Sequence, residues 1–267
     1  MNLEEIQGKL AAKQKSRPIP RIHNKLGIWF PDWLLAVLFF LILGGLVVSI
    51  PNHLFYRVST PANRSGSNSN LRHITLAFHD YHDNHGKLPR HAIYDPNGRP
   101  LLSWRVLILP FIDQGHLYKE FRLDEPWDSP HNKPLLRKMP QIYVHPDAAF
   151  DSSKGLTHYQ AFVIKPGTNP TSILVESPIS ERSLYDMRKL DGVSSTILIV
   201  EADKQVPWTK PEDLEFDPAG PLPKLGVNGN GALASFADGS VRNLVNFNKK
   251  ELQALITVNG NEKLPEL

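Results

Sequence analysis

The sequence predicts an α+β fold behind an N-terminal transmembrane helix, and three features support this class. Residues 33–50 form an uncharged apolar run, residues 68–89 carry an amphipathic helical pattern, and short β-branched or aromatic runs recur later. Early helices followed by strands are typical of α+β domains in which helices pack on an antiparallel sheet. We therefore expect a basic cytoplasmic tail at 1–30, a transmembrane signal-anchor helix at 31–51, a flexible linker at 52–69 and a globular domain at 70–267.

The apolar run predicts one membrane-spanning helix. Residues 33–50 contain no charged side chain, and about 17 to 25 such residues cross the hydrocarbon layer as a helix. Six basic residues precede the run, whereas Arg57 and Arg64 are the two that follow it before residue 68. The positive-inside rule therefore predicts a single-pass protein of the inner (cytoplasmic) membrane, with the N-terminus in the cytoplasm and the domain outside.

A cleaved secretory signal is the competing interpretation of this run. The apolar core of such a signal is about 7 to 15 residues long and precedes small residues at the cleavage site. Here the run is longer, lies far from Met1 and is followed by bulky Pro51, Leu54 and Phe55. An uncleaved anchor that contacts the lipid bilayer through residues 33–50 fits the sequence better.

The charge of the chain is concentrated in its tail. The net charge is +3, and residues 1–50 carry six basic and three acidic side chains, which leaves 24 of each sign in the remainder. A neutral domain lacks the basic surface that neutralises phosphates, so we expect no nucleic-acid partner. The chain has no cysteine, which excludes disulfides and thiolate chemistry.

Apolar residues at helical spacing predict a helix that packs against the rest of the domain. The expected N-cap is Ser69 or Asn70, and Gly86 is the expected stop. The residues on the apolar face are Leu71, Ile74, Phe78 and Tyr81, with Ala77 beside them.

Turn residues divide the rest of the domain into short elements. Asp95 to Gly98 predicts a chain reversal, and Ser103 is the expected cap of a helical segment. A second helical piece is expected at 113–121 and a final helix at 249–258. Strands are expected at 159–164, 196–202 and 232–237, with a tight hairpin turn at residues 238–240.

Histidines on the amphipathic helix are candidate metal ligands. His79 and Asp83 are spaced i, i+4, and His82 and His85 are spaced i, i+3, so either pair could supply two ligands. The alternative is that histidines near a helix C-terminus interact with free carbonyls and the helix dipole. We favour the alternative and expect no metal, no other cofactor and no enzymatic activity. A metal-dependent hydrolase or ligand-binding domain built on His79, His82, Asp83 and His85 is the second hypothesis.

Three further stretches resemble sites only superficially. Asp124, Glu125 and Asp128 flank Trp127 and could hold a cation or form a carboxylate pair, but a turn anchored by the tryptophan is the simpler interpretation. The glycines at 226, 229 and 231 do not have the spacing of a phosphate loop. The serines at 194 and 195 lack the elbow motif of a nucleophile.

Several blocks of the sequence, in order, resemble the planctomycete-type DUF1559 family. The blocks are NSNLRHITLAFHDYHDNHGKLP, then DPNGRPLLSWRVLILPFIDQGHLYKEF with the polar loop after it, then DGVSSTILIVEA, VPWTKP and FADGSVRNL. The resemblance implies a pilin-like domain outside the cytoplasmic membrane, because many members resemble type IV pilins or pseudopilins. It also implies partners in the cell envelope or a secretion-type assembly.

The sequence departs from this family in three places. The prepilin leader is absent. A cysteine pair common in members is replaced by a residue within 65–69 and by His145 before Pro146. The family's C-terminal motif is a histidine ten residues before Asp-Gly, and here Asn228 stands before Asp238 and Gly239. Because asparagine does not titrate near neutral pH, we expect no proton transfer at that position.

Overall fold

A computed structural model describes residues 60–148, 154–164, 174–175, 183–185, 192–227, 231–245 and 248–258 of this chain. The basic tail, the apolar run at 33–50 and Asn228 lie outside these residues. In the part of the chain that is described, no helix has both the length and the apolar character needed to cross a membrane.

Helices and strands are mixed along the chain, with the longest helix first. Short 3₁₀ helices lie at Leu109–Ile112, Lys133–Lys138, Gln141–Tyr143 and Val193–Ser195. The helices and strands are, in chain order, α1 (Pro61–His85), β1 (Ala92–Tyr94), β2 (Pro100–Ser103), α2 (Trp104–Leu107), α3 (Gly115–Tyr118), β3 (Leu156–Gln160), β4 (Phe162–Ile164), β5 (Leu174–Val175), β6 (Ile197–Pro207), β7 (Leu214–Glu215), β8 (Ala232–Phe236), β9 (Val241–Leu244) and α4 (Lys249–Ile256).

The main sheet is antiparallel, as the sequence predicts. Its strand order is β3-β6-β8-β9, and β1 and β2 form a separate antiparallel pair. The hairpin between β8 and β9 turns at the expected place, where Gly239 has a φ of 88° and the Asp238 carboxylate accepts a hydrogen bond from the Ser240 N–H. The third sheet differs from the expectation, since β4 pairs in parallel with both β5 and β7.

Helix α1 begins earlier than the sequence predicts. Its N-cap is Thr60, whose hydroxyl accepts a hydrogen bond from the Asn63 N–H at 3.1 Å, and Pro61 occupies the first turn. The expected caps Ser69 and Asn70 are therefore wrong, and residues 61–69 of the predicted flexible linker are helical. Packing explains the difference, because Ser67 is 1 % exposed and its contacts outweigh the weak helix propensity of this stretch. The helix ends at Gly86 (φ 74°), as expected.

The apolar face of α1 packs against strands β6 and β8 and against α2. Leu71, Ile74 and Phe78 are fully buried, and the Phe78 ring meets Trp104 edge-on at a centroid distance of 5.1 Å. Tyr81 is half-buried and contacts Phe111. Burying each large apolar side chain contributes about 1.5 to 3 kcal/mol, so the predicted face fixes the helix on the domain.

The main sheet is covered on both faces. Leu233 of β8 belongs to the hydrophobic core that contains residues of α1. Ala234 and Phe236, whose side chains alternate with it along the strand, belong to a second core that contains residues of α4. Alternate residues of a strand point to opposite faces, so the two cores lie on opposite sides of the sheet.

Candidate functional site

Buried polar side chains surround Glu201 on β6, where α1 crosses the sheet. One carboxylate oxygen of Glu201 accepts hydrogen bonds from the Ser67 hydroxyl and from Nε2 of His145, the latter at 3.0 Å. The other oxygen accepts from the Leu233 N–H at 2.8 Å. The Tyr159 hydroxyl lies 2.8 Å from the Ser67 Oγ. Ser67, His145, Tyr159 and Glu201 are called the Glu201 cluster below.

The order of groups in the Glu201 cluster does not match a catalytic triad. In a triad the histidine lies between the serine and the acid, so that it can take the serine proton. Here the carboxylate of Glu201 bridges Ser67 and His145. Burial also raises the pKa of Tyr159 and keeps this hydroxyl neutral. The cluster therefore joins helix, loop and sheet, and its order of hydrogen bonds is not that of a serine triad.

A second layer of contacts ties the loop after Tyr143 to α1. Nδ1 of His145 accepts a hydrogen bond from the Asp147 N–H at 3.1 Å, and the Asp147 carboxylate accepts from the Asn63 amide at 2.6 Å. Gly66 packs on Pro146. The two places to which the resemblance assigns the family's cysteines are thus adjacent in space.

A small cavity of about 20 Å³ opens beside the Glu201 cluster. A volume of this size accommodates about one water molecule. Its lining residues are Asn63, Arg64, Ser67, His145, Asp147, Glu201, Val227, Gly231 and Leu233.

His158 on β3 lies next to the Glu201 cluster. Its Nδ1 is 2.8 Å from the Ala202 carbonyl oxygen and donates to it, while Nε2 accepts from the Gln205 amide at 3.0 Å. The ring centroids of His158 and His145 are 5.4 Å apart. Burial of the ring lowers the pKa of His158 below its usual value of 6.5. The neutral ring therefore fits this site.

A buried ion pair between Arg105 and Asp213 forms the other polar centre. Both side chains are fully buried, and Nη2 of Arg105 lies 2.7 Å from Oδ1 of Asp213. The guanidinium also donates to the Tyr159 carbonyl and the Ser103 hydroxyl, and it lies 4.5 Å from the centre of the Trp104 ring. The guanidinium of Arg105 thus donates its hydrogen bonds to other groups of the protein.

The carboxylate of Asp213 is held by groups from several elements. It accepts from the Trp104 indole and the Ala161 N–H, and Nε2 of His91 lies 3.2 Å away without hydrogen-bond alignment. Burial alone would raise the pKa of Asp213, but the Arg105 guanidinium and His91 lower it below the usual range. The ion pair therefore stabilises the junction between α2, β4 and the segment before β7.

The structure does not gather the predicted metal-ligand candidates into one site. Nε2 of His79 lies 2.9 Å from the Ala237 carbonyl oxygen, and Nδ1 of His85 lies 2.9 Å from the Tyr81 carbonyl oxygen. His82 and the exposed Asp83 are 3.4 Å apart. Within the described ranges, no three His, Asp or Glu side chains are arranged to hold a metal ion. His85 thus contacts a carbonyl of its own helix, whereas His79 contacts the carbonyl of Ala237, after β8.

The polar loop at 124–134 is organised by Asn132, which the sequence analysis did not single out. Asn132 is fully buried, and its amide joins the backbone of Arg122 and Glu125. Asp124 and Asp128 are exposed, while Glu125 pairs with Arg122 at 2.9 Å. The three carboxylates therefore do not converge, and the loop is a turn, as favoured above.

The remaining predicted stretches also have local roles in the described structure. Gly226 has a φ of 80°, and its N–H donates to the Glu201 carbonyl of β6, next to the antiparallel bridge between Leu225 and Ala202. The serines at 194 and 195 lie in a 3₁₀ turn before β6, capped by a bond from Thr196 to the Gly192 carbonyl. Gly229 lies outside the described residues.

Sequence reasoning missed Glu201 and Arg105 as polar centres. Each is a charged residue within an apolar run, ILIVEA and SWRVLIL respectively. A charge in such a run predicts a buried, paired group, because an unpaired buried charge is strongly unfavourable. The partners Ser67, His145 and Asp213 carry no such local signal.

Fold and site together define a mixed α/β domain in which a long helix is joined to an antiparallel sheet through buried polar groups. The chain belongs to the family described as protein of unknown function (DUF1559), whose model matches residues 62–227, more than half of its length. The match confirms the resemblance found in the sequence. No curated protein and no solved structure matches the chain.

Proposed function

We propose that this chain is a membrane-anchored, extracytoplasmic protein of the cell envelope that acts by contacting other proteins and not by catalysis. Residues 33–50 would cross the inner membrane once, with the basic tail in the cytoplasm. The pilin-like domain outside would serve a structural or interaction role, in the envelope or in a pseudopilin-like assembly.

The observation that carries this proposal is that the buried carboxylates are bonded to other groups of the protein. The carboxylates of Glu201 and Asp213 accept their hydrogen bonds from groups of the protein, and these bonds join α1 or α2 to the sheet. A catalytic acid or base needs a free position within reach of a substrate. Groups whose hydrogen bonds join the elements of the fold in this way suit a scaffold better than an active site.

The anchor and its orientation are supported by the sequence. The uncharged run is long enough to span the bilayer, and the basic residues lie on its N-terminal side. The domain beyond it is electrically neutral, which argues against a nucleic-acid partner and is compatible with protein partners in the envelope or in a secretion system.

Cysteine labelling in cells tests the orientation, because the chain has no cysteine of its own. One variant carries Asp128→Cys, at an exposed position of the domain, and the other carries Lys13→Cys in the tail. In intact spheroplasts a membrane-impermeant maleimide should label the Asp128→Cys variant. It should label the Lys13→Cys variant only after the membrane has been permeabilised. The opposite pattern would overturn the proposed topology.

Two further measurements separate the proposal from its competitors. Stoichiometric zinc or another transition metal in the purified full-length protein, lost in the His79→Ala/His82→Ala variant, would favour a metal-dependent hydrolase or ligand-binding domain. An intact mass that includes Met1 would exclude trimming by a prepilin peptidase and hence a true pseudopilin subunit.

A further inference from the structure

We propose that the outer edge of strand β9 pairs with β9 of a second copy of this chain, so that the main sheets of two molecules join across a twofold axis. Three features of residues 241–245 carry the inference: free main-chain groups, exposed side chains and a self-complementary order of residues. The pairing names one partner for the interaction role proposed above, and to that extent it rests on that role.

The two edges of the main sheet differ in their surroundings. Strand β3 forms one edge, and the 3₁₀ helix at Gln141–Tyr143 packs beside it, where the Thr157 hydroxyl donates to the Tyr143 carbonyl at 2.8 Å. Strand β9 forms the other edge. An open edge of a sheet is a template on which another strand can pair.

The hairpin between β8 and β9 determines which main-chain groups of β9 point outward. The Phe236 N–H donates to the Ser240 carbonyl at 2.8 Å, so these two residues form a hydrogen-bonded pair. In an antiparallel ladder such pairs alternate with pairs that exchange no hydrogen bonds. Within 241–245, the odd-numbered residues therefore point their N–H and C=O groups away from β8.

Two observations agree with this assignment. Leu233 of β8 lies opposite Asn243, and its N–H donates to Glu201, on the side of β8 away from β9. Apart from the ladder with β8, no hydrogen bond between described residues reaches the main chain of Val241, Asn243 or Val245. The outer edge of β9 therefore offers free donors and acceptors in an alternating row.

The side chains along this edge leave room for a second strand. On the face that carries α1, Asn243 is exposed and Val245 is 54 % exposed, so the helix does not cover them. On the other face the guanidinium of Arg242 lies 4.5 Å from the centre of the Phe236 ring of its own sheet. Proteins protect edge strands with lysine or proline, and residues 241–245 contain neither.

A second copy fits this edge because the order of its residues is complementary to itself. In an antiparallel pair centred on Asn243, Val241 lies opposite Val245 of the second copy, and Asn243 lies opposite its own counterpart. All of these residues have outward-pointing main-chain groups, so each pair can exchange hydrogen bonds. The exposed Val245 then gains an apolar neighbour, and Arg242 lies opposite Leu244 of the second copy.

The charge of Arg242 selects this register. A pair centred on Arg242 would place the two arginines directly opposite each other, which is destabilising. A twofold pair is closed at two copies, and one short strand from each molecule gives an interface of the weak class, below about 1,200 Å². We therefore expect a reversible dimer whose population rises with protein concentration.

Charge variants of the full-length protein in detergent test the dimer by sedimentation velocity over a range of concentrations. The Asn243→Lys variant places two ammonium groups opposite each other, so its self-association should be about fivefold weaker or more. The Asn84→Lys variant adds the same charge at an exposed position of α1 and should associate like the unchanged protein. An unchanged protein that stays monomeric, or an Asn243→Lys variant that associates as strongly, would overturn the proposal.

Mixing two variants separates a contact across the twofold axis from a loss of folding. The Asn243→Glu variant should self-associate as weakly as Asn243→Lys, for the same reason. An equimolar mixture of the two should recover the dimer, because a lysine then lies opposite a glutamate. A mixture that stays monomeric would contradict the register centred on Asn243.

Thiol cross-linking in cells distinguishes failure of this dimer from failure of the proposed function. The chain has no cysteine, so a short, membrane-permeable bismaleimide should join two copies of the Asn243→Cys variant but not of Asp128→Cys, an exposed control. Equal cross-linking of both variants, or none of Asn243→Cys, would overturn the dimer even if maleimide labelling places the domain outside. Selective cross-linking of a domain that labelling places in the cytoplasm would support the dimer and overturn the topology.

Discussion

Gly66 of helix α1 lies directly against Pro146: a Cβ atom placed on Gly66 would be 3.2 Å from Cγ and 3.9 Å from Cβ of the proline. The second distance matches the Cβ separation of about 3.8 Å that is usual in disulfides. The helix start and the loop after Tyr143 are therefore close enough to be joined covalently, in a chain that joins them by hydrogen bonds alone.

A disulfide between residues 66 and 146 is the first prediction. The Gly66→Cys/Pro146→Cys variant should oxidise spontaneously within one chain and should resist urea better than its reduced form. Closing a loop of roughly 80 residues stabilises by up to about 4.5 kcal/mol in the chain-entropy model. Thiol titration and urea unfolding, with and without reductant, measure both effects. The Arg72→Cys/Pro146→Cys pair, with one cysteine on the exposed face of α1, is the control and should stay reduced.

The Arg105–Asp213 pair yields a prediction about coupling. The Asp213→Asn substitution leaves the fully buried Arg105 without its counter-ion, which should cost about 3 to 5 kcal/mol in unfolding free energy. The Arg105→Met/Asp213→Asn double variant removes both charges and should cost less than the sum of the two single changes. Urea unfolding of the four proteins gives the coupling energy. Strict additivity would show that the pair does not act as a unit.

Protonation of Asp213 should contribute to the loss of unfolding free energy at acid pH. Because its pKa is lower in the folded protein than the ordinary value of 3.8, the unfolded chain binds the proton first as pH falls. The stabilisation is therefore complete above pH 3.8 and is lost as the pH falls through the folded pKa. The Asp213→Asn variant should lack this part of the stability profile, while Asp128→Asn, an exposed control, should keep it. Identical profiles for both variants would contradict the assignment.

Two glycines with left-handed backbones should respond differently to alanine. Gly86 (φ 74°) has open space around it, so Gly86→Ala should cost about 1 to 2 kcal/mol from backbone strain. At Gly155 (φ 53°) a Cβ would overlap the Leu136 carbonyl oxygen and crowd the buried Trp208, so the cost should be at least about twice as large. Thermal or urea unfolding of both variants makes the comparison. Equal losses of unfolding free energy in the two variants would mean that the Leu136 backbone moves away from the added Cβ without a measurable penalty.

The fold was predictable where local chemistry decides it. The spacing of Leu71, Ile74 and Phe78 identified the buried face of α1, and Gly86 and the turn at residues 238–240 ended their elements where expected. The first turns of α1 were missed, because Gly66 and its serine neighbours favour a loop locally. Their helical state depends on bonds from Ser67 to residues far along the chain, such as Glu201, which no local pattern encodes.

The candidate site was harder to predict than the fold. Four histidines on one helix form a visible pattern that made His79, His82 and His85 candidate ligands, yet in the structure these three contact carbonyls or an adjacent acid. The buried polar centres at Glu201 and Asp213 join residues more than a hundred positions apart. A sequence can mark a charge in an apolar run as unusual, but the partner that neutralises it follows from the three-dimensional fold.

If the proposed anchor is correct, the early start of α1 would limit the distance between the domain and the bilayer. With residues 33–50 as the proposed anchor, the tether would comprise ten residues before Pro61 instead of the eighteen or so between the run and residue 69, and extended chain spans at most about 3.5 Å per residue. The reach would thus fall from about 60 Å to about 35 Å. Since the accessible volume scales with the cube of the reach, a binding partner embedded in the same membrane would meet the domain at a roughly fivefold higher local concentration.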